Sequence, residues 1–104
     1  MTAPRPAQWD VHWTATGDTR ILIVQSDILS ETGMRIVVPI VRGADAPGHH
    51  PRLQPVITLG DETWVALVLA IGTLDLSEIG ARIASAEGAR DEIARALDMV
   101  LSGV

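Results

Sequence analysis

Apolar and polar residues alternate along the first part of the chain in the way expected of short strands. Every second residue from Trp9 to Trp13 is apolar, a period of two that is typical of a half-buried strand. Gly17-Asp18 then supplies a turn, because glycine reaches positive φ without steric penalty and aspartate can bond to the nearby backbone. The apolar run Ile21 to Val24 follows, so residues 9–27 are predicted to form a hairpin.

A third strand is expected after the reversal at Thr32-Gly33, where Arg35 to Ile40 is again rich in β-branched residues. Pro39 has no amide proton for a ladder, so it is expected at an edge, a bulge or the end of this strand. The stretch from Arg42 to Pro55 holds repeated Gly and Pro, which predicts one long loop.

A second hairpin is predicted beyond the loop. Val56 to Leu59 and Thr63 to Leu69 have the composition of strands, and Gly60-Asp61 supplies the turn between them. Five short strands without a helical crossover favour an antiparallel sheet or a small barrel.

The C-terminal segment follows a helical period instead. From Glu87 onward apolar residues recur at spacings of three and four, with charged residues on the other face, which predicts an amphipathic helix. Ser85 is a candidate cap, and Gly103 is expected to end the helix. A shorter helical or turn-like piece is expected at Ser77 to Ala84.

These elements predict one mainly β domain with a C-terminal α-helix. The chain has 104 residues, of which 47% are hydrophobic, and this suits a single packed core. Residues 1–8 are predicted to be a flexible leader and residues 9–104 the single domain. Because Trp9, Trp13 and Trp64 are the only aromatic residues, the core is thin and aliphatic, which favours dimerisation.

Charge and composition exclude several classes of function. A net charge of −5, from eight arginines and 13 acidic residues, opposes general binding to nucleic acid or to anionic lipid. The chain has no cysteine, which suits a reducing cytoplasm and removes disulfides and thiolate metal sites. No apolar run approaches the roughly 20 residues that span a bilayer, so no membrane segment is expected.

The sequence offers little for catalysis or for a cofactor. It has no cysteine nucleophile, no Gly-x-Ser-x-Gly elbow and no phosphate-binding glycine loop. His49-His50 is interpreted as a solvated loop pair, since adjacent residues point apart and no third ligand is suitably spaced. Asp61 and Glu62 are expected to be exposed turn residues, and Trp64 is expected in the core. No catalytic residue, metal or cofactor is predicted.

Three ordered segments carry a family resemblance. They are Val24-Gln25-Ser26-Asp27-Ile28-Leu29, the stretch Thr32-Gly33-x-Arg35 to Ile40, and Pro55 to Trp64 with its Gly60-Asp61-Glu62-Thr63-Trp64. Through them the chain resembles the CcdB family of toxins from toxin–antitoxin systems. Only the leader before Trp9 and the loop from Arg42 to Gln54 do not align clearly with the family pattern.

The resemblance implies a fold, an activity and two partners. It implies an SH3-like barrel with a C-terminal helix, assembled as a homodimer. Its activity would be non-enzymatic: the toxin binds the GyrA subunit of DNA gyrase and stalls the cleaved-DNA complex. A CcdA-like antitoxin would neutralise it through a disordered tail that orders on binding.

The resemblance also names a gyrase-binding surface. The family ends in Trp-Gly-Ile, where this chain has Ser102, Gly103 and Val104, so a hydroxyl stands in place of the indole that could stack on a partner arginine. The further positions are Ser26, Ile28, Leu29 and Asp98. Instead of contacting gyrase, Ile28 and Leu29 could be ordinary core residues. Residues 102–104 could likewise be a frayed chain end without a partner.

Two other functions stay open. One is an endoribonuclease resembling the Kid and MazF toxins, which share the barrel and need a base, an acid and a cation around one phosphate. Arg35, Arg82, Asp75 and His12 are the candidates for these roles. The other is a homologue that binds an antitoxin without being toxic.

Overall fold

A computed structural model describes residues 5–48 and 50–103. Within them the chain forms seven strands and one α-helix. The strands are β1 Asp10–Thr14, β2 Arg20–Ile23, β3 Met34–Arg42, β4 Val56–Leu59, β5 Glu62–Ala66, β6 Gly72–Asp75 and β7 Ile79–Ser85, and the helix is α1 Arg90–Ser102. No described helix combines the length and apolar character needed to cross a bilayer.

The strands make one antiparallel sheet in the order β4-β5-β3-β2-β1-β7, with β6 also paired to β3. Strand β3 has nine residues and organises the sheet. It pairs with β2 along one edge and divides its other edge between β5 and β6. Such sharing curls the sheet into a half-barrel, and the prediction of a mainly β small barrel with a C-terminal helix is confirmed.

Pro39 lies inside β3, at the place where its outer partner changes. The ladder to β6 ends at Val37 and the ladder to β5 begins at Ile40. The carbonyl of Pro39 accepts a hydrogen bond from the amide of Leu67 on this same edge. Since the nitrogen and oxygen of a strand residue face the same side, the missing amide proton falls in the gap between the two ladders, where none is required.

The main core lies between the concave face of the sheet and the helix. Val11, Leu22, Val38 and Ile57 are almost fully buried there, and Ile93 of α1 packs against them with no exposed surface. Trp64 is 4% exposed and belongs to this core, as predicted. A smaller cluster of Ile21, Ile23 and Val37 occupies the other face of the sheet.

Both predicted hairpins and the predicted helix end at Gly103 are confirmed, with small differences in their bounds. The prediction that Ser85 caps the helix is wrong, because the N-cap of α1 is Ala89, which makes no side-chain hydrogen bond. Gly17 and Gly60 take positive φ in the two turns. Trp9 precedes β1 with a φ of 71°, so the strand begins one residue later than the alternation suggests. Ser85 accepts a hydrogen bond from the amide of Glu87 in a 3-10 turn that leads into α1, and Gly103 ends the helix at a φ of 75°.

The prediction for Ser77 to Ala84 is wrong over most of its length. Only Leu76–Glu78 is a turn of 3-10 helix, and the rest is β7, which pairs with β1. A Cβ at Gly80 would lie 2.8 Å from the carbonyl oxygen of Thr14, so glycine is what lets the two strands approach. Strand β6 was also not predicted, and β5 ends at Ala66 rather than Leu69 because a 3-10 turn follows.

Residues 5–8, the described half of the predicted leader, are hydrogen-bonded to the barrel. The backbone and side-chain amides of Gln8 donate to Asp27 and to the carbonyl of Val24. The carbonyl of Pro6 accepts a hydrogen bond from the guanidinium of Arg35. These hydrogen bonds hold residues 5–8 against the barrel, beside the loop at residues 26–34.

Candidate functional site

The first half of the predicted gyrase-binding surface is a single 3-10 turn, Asp27–Leu29. Ser26 caps the turn, since its hydroxyl accepts a hydrogen bond of 3.3 Å from the amide of Ile28. The side chain of Ile28 is 86% exposed and that of Leu29 is 49% exposed. These two residues are therefore surface residues, and the alternative that places them in the core is excluded.

Two buried polar side chains hold the loop that carries this turn. The amide of Gln25 donates to the carbonyls of Leu29 and Met34, and its oxygen accepts from the amide of Ile36. Arg35 is 1% exposed and donates to main-chain carbonyls on the same loop. The exposed side chain of Ile28 is thus carried by a backbone that the buried side chains of Gln25 and Arg35 hold in place.

The second half of the surface is the end of α1. Ser102 is exposed, and its hydroxyl donates a 2.7 Å hydrogen bond to the carbonyl of Asp98, one turn earlier. Asp98 and Gly103 are also exposed. Val104 lies outside the described residues. In the part of the chain that the structure describes, no hydrogen bond or ion pair joins this helix end to the turn at 26–29.

A cleft of about 560 Å³ runs beside the helix end, between α1 and the loop before β4. Asp98 lies on its wall, opposite Pro51 and Val56. Arg95 and Glu92 place one charge of each sign on the helical side. The cleft extends the exposed surface at Asp98 toward the predicted long loop, so a chain lying in it would contact both.

The structure places the four endoribonuclease candidates in different environments. Arg35 cannot reach a substrate, because its guanidinium is buried and donates to the carbonyls of Pro6, Ser30, Thr32 and Met34. Asp75 is the cap of the Leu76–Glu78 turn. The hydrogen bond from the backbone amide of Ser77 holds the pKa of Asp75 below its ordinary value of 3.8, which makes it a poor proton donor at neutral pH.

Only His12 and Arg82 are brought together, and they meet at Asp10. Arg82 donates from Nε to one oxygen of Asp10 at 3.0 Å. The other oxygen lies 3.9 Å from Nε2 of His12, whose Nδ1 lies 2.9 Å from the carbonyl of Gly80. His12 is 5% exposed, and its Nε2 has no hydrogen-bond partner among the described residues.

Sequence reasoning missed a stack of aromatic and cationic side chains at the edge of the main core, beside Trp64. The guanidinium carbon of Arg20 lies 4.2 Å from the centre of the Trp13 ring and 4.1 Å from that of Trp64. Arg42 lies 4.6 Å from the Trp64 ring and is ion-paired with Glu62. The cross-strand pair of Trp13 and Arg20 could have been predicted from the β1–β2 hairpin. Trp64 could not, because it comes from a hairpin that is distant in sequence.

The exposed turn acids behave as expected. Asp61 and Glu62 are exposed at the β4–β5 turn. Of the predicted solvated histidine pair, His49 lies outside the described residues, and His50 is exposed. Within the described part of the chain, no three His, Cys, Asp or Glu side chains come together as a metal site would require.

The sequence matches the family model described as CcdB protein over residues 8–103. This chain belongs to the CcdB family. The match includes the turn at 26–29, the buried Gln25 and Arg35, and the whole of α1.

Several solved structures have the same fold. An endoribonuclease from a mycobacterial species superposes with a TM-score of 0.78 at 17% identity, covering 97% of this chain and 95% of that one. A mycobacterial endoribonuclease in complex with its cognate antitoxin gives a TM-score of 0.74 at 19% identity, with 95% of both chains covered. The MazE–MazF structure from Deinococcus radiodurans gives 0.76 at 19% identity, covering 96% of this chain and 98% of that one. At these identities the likeness is one of fold, so this CcdB family member has the barrel of the MazF-like toxins.

Proposed function

We propose that this chain is the toxin of a type II toxin–antitoxin system and that it acts in the cytoplasm by binding the GyrA subunit of DNA gyrase. The observation that carries the proposal is the CcdB family match over residues 8–103. The toxin acts as an inhibitor and makes or breaks no bond. Its contact surface consists of the turn with Ser26, Ile28 and Leu29 and of the helix end with Asp98, Ser102, Gly103 and Val104.

The shape of the turn supports this role. Ile28 exposes 86% of its surface, yet its backbone is fixed by the Ser26 cap and by Gln25. A large apolar side chain held in this way loses little conformational entropy when a partner covers it. Anchors of this kind carry most of the free energy of protein–protein interfaces.

The test is binding of purified GyrA to the toxin immobilised on a sensor surface. Ile28→Asp is expected to weaken binding by at least about thirtyfold, because it replaces an apolar anchor by a charge. Leu69→Asp is the matched control, since Leu69 is 64% exposed on another 3-10 turn, and it is expected to change the affinity by less than about twofold. Equal affinities of the two variants would refute the contact surface, and no binding by the unmodified protein would refute the gyrase target.

The helix end is tested by restoring the family residue. Ser102→Trp removes a hydroxyl that bonds only to its own helix and adds an exposed indole able to stack on a guanidinium. This variant is expected to bind GyrA more tightly than the unmodified protein. An unchanged affinity for GyrA would mean that the helix end is not a contact. In a separate experiment, normal growth of cells induced to make the protein without an antitoxin would indicate a non-toxic homologue.

We also propose a homodimer and a CcdA-like antitoxin as the physiological partners. Several large apolar side chains are exposed on the single chain, Met34 at 46% and Leu101 at 72% among them. Covering them in a second copy or by an antitoxin tail would add the apolar burial that a small core lacks. Sedimentation equilibrium tests the first proposal, and a concentration-independent monomer mass would contradict it.

An endoribonuclease remains a second candidate because solved structures with this fold are endoribonucleases. Arg82 is the candidate to test, since its side chain is 54% exposed and its removal leaves the core intact. If the protein cleaves RNA, Arg82→Ala is expected to abolish cleavage. Arg35→Ala would not discriminate, because Arg35 supports the fold.

A further inference from the structure

We propose that the stack of Trp13, Arg20 and Trp64 is a binding site for a carboxylate on an acidic segment of a protein partner. The site is separate from the residues assigned to gyrase contact and does not depend on that function. It lies at the edge of the main core, where Trp64 of β5 packs beside the paired strands β1 and β2. Trp13 and Arg20 are direct cross-strand neighbours, and Trp64 joins them from β5.

Arg20 is held from both sides. Its guanidinium carbon lies over both indole rings, 4.2 Å from the centre of Trp13 and 4.1 Å from that of Trp64, so the two indoles flank the guanidinium group. The side chain is only partly exposed. Stacking therefore fixes the plane while leaving its N–H edge available, which is the geometry that binds a carboxylate through two parallel hydrogen bonds.

The edge of Arg20 has no acceptor of its own. Among residues 5–48 and 50–103 it makes no ion pair and no side-chain hydrogen bond. Two carboxylates beside the stack are engaged elsewhere: Asp18 accepts from the hydroxyls of Thr14 and Thr16, and Glu62 is paired with Arg42. A partly desolvated cation without an acceptor gains free energy when one arrives.

A recess of about 300 Å³ opens over this edge. Arg20, Trp13 and Trp64 line it together with Thr19, Val41 and Asp45. Asp45 is exposed on the Gly43–Asp45 turn and carries the one carboxylate on this wall that makes no described contact. It repels an incoming anion, so its removal provides a test in the opposite direction.

A nucleic acid fits the recess poorly. Single-stranded nucleic acid needs free aromatic faces and a positive groove. Both faces of Trp64 are covered, one by Arg20 and the other by Arg42. A carboxylate needs only the N–H edge of Arg20 and no free aromatic face, so the covered faces of Trp64 favour a carboxylate over stacked bases.

The probe is a blocked peptide of four alternating aspartates and glutamates, titrated into the protein at low ionic strength. The Nε–H resonance of Arg20 reports binding. Two charge-assisted hydrogen bonds correspond to a Kd of the order of 1 mM. Arg20→Lys keeps the charge but loses the planar fork, and is expected to weaken binding at least about fivefold when followed by tryptophan fluorescence.

Four controls complete the test. Arg90→Lys is the matched substitution on α1, where Arg90 is already paired with Glu87, and it is expected to leave the Kd unchanged. Asp45→Asn, an exposed change that does not threaten the fold, is expected to lower the Kd about twofold or more. A peptide of asparagine and glutamine and a single-stranded uridylate decamer are expected not to bind.

The proposal is overturned if Arg20→Lys binds the acidic peptide as tightly as the unmodified protein does. It is also overturned if Asp45→Asn brings no gain. Tighter binding of the uridylate decamer than of the acidic peptide would assign the recess to nucleic acid instead.

Discussion

Two arginines of this protein use the same five N–H donors in opposite ways. Arg35 is buried beneath the 26–34 loop, where its guanidinium donates to four main-chain carbonyls. Arg20, on the other side of the barrel, has its two faces covered by indoles and its donor edge open to a recess. The N–H donors of Arg35 are used within the fold, whereas those of Arg20 are oriented by the fold and remain available to a ligand. A guanidinium group can thus have its two faces covered without having its N–H donors paired with acceptors.

Substitution of Arg35 is expected to cause the largest loss of stability. Arg35→Met leaves the carbonyls of Pro6 and Thr32 without a donor, whereas those of Ser30 and Met34 keep hydrogen bonds from Arg5 and Gln25. Each buried group without a partner costs about 1–3 kcal/mol, so the free energy of unfolding is expected to fall by about 2 kcal/mol or more. A domain of this size has only about 5–15 kcal/mol in total. Urea denaturation measures the change.

Arg82→Met is the control for Arg35→Met. The Arg82 side chain is 54% exposed and makes one ion pair, with Asp10, so its loss is expected to cost less than about 1 kcal/mol. Arg35→Lys sharpens the result, since lysine keeps the charge but one ammonium cannot span all four carbonyls. Equal stability of the two methionine variants would show that the buried hydrogen bonds add nothing.

The same substitution at Arg20 is expected to have a smaller effect. Arg20→Met loses two cation–π contacts of about 0.5–1 kcal/mol each but leaves an apolar chain between the rings, so a loss of about 1 kcal/mol is expected. A double-mutant cycle with Trp13→Leu isolates the stacking, with an expected coupling of about 0.5–1 kcal/mol. A coupling of zero would mean that Trp13 and Arg20 are neighbours without interacting.

The contrast also separates what the sequence could predict from what it could not. The hairpins around Gly17 and Gly60 follow from local signals, because the turn residues and the alternation lie within a few residues of one another. Strand β7 has no such signal. Its conformation depends on pairing with β1 and on the close approach at Gly80, and both contacts join residues that are far apart in sequence.

The candidate site divides in the same way. The family resemblance selected Ile28 and Leu29, and the structure places both on the surface. Arg35, by contrast, has a suitable charge for catalysis in the sequence, but its carbonyl partners include Pro6, which no local pattern connects to it. The Arg20 stack likewise needs three strands, so its geometry could be found only after the barrel had been assembled.

The smallest expected effect concerns the turn that joins Trp13 to Arg20. Hydrogen bonds from the hydroxyls of Thr16 and Thr14 hold the pKa of Asp18 below its ordinary value of 3.8. A carboxyl group whose pKa is lowered by folding contributes stability that is present above its unfolded pKa and lost as the pH falls through the folded value. The contribution of Asp18 is therefore expected to be constant from neutral pH to about 5 and to disappear below its lowered pKa.

Asp18→Asn measures this contribution. The unmodified protein is expected to be slightly more stable than the variant at pH 7, and the difference is expected to vanish in strong acid, because the protonated carboxyl then resembles the amide in charge. Since Asp18 is exposed, solvent screening keeps the effect small. Thermal unfolding at a series of pH values provides the curve. A difference that persists in strong acid would mean that Asp18 orders the turn by its shape rather than by its charge, and the alignment of Trp13 with Arg20 would then be independent of pH.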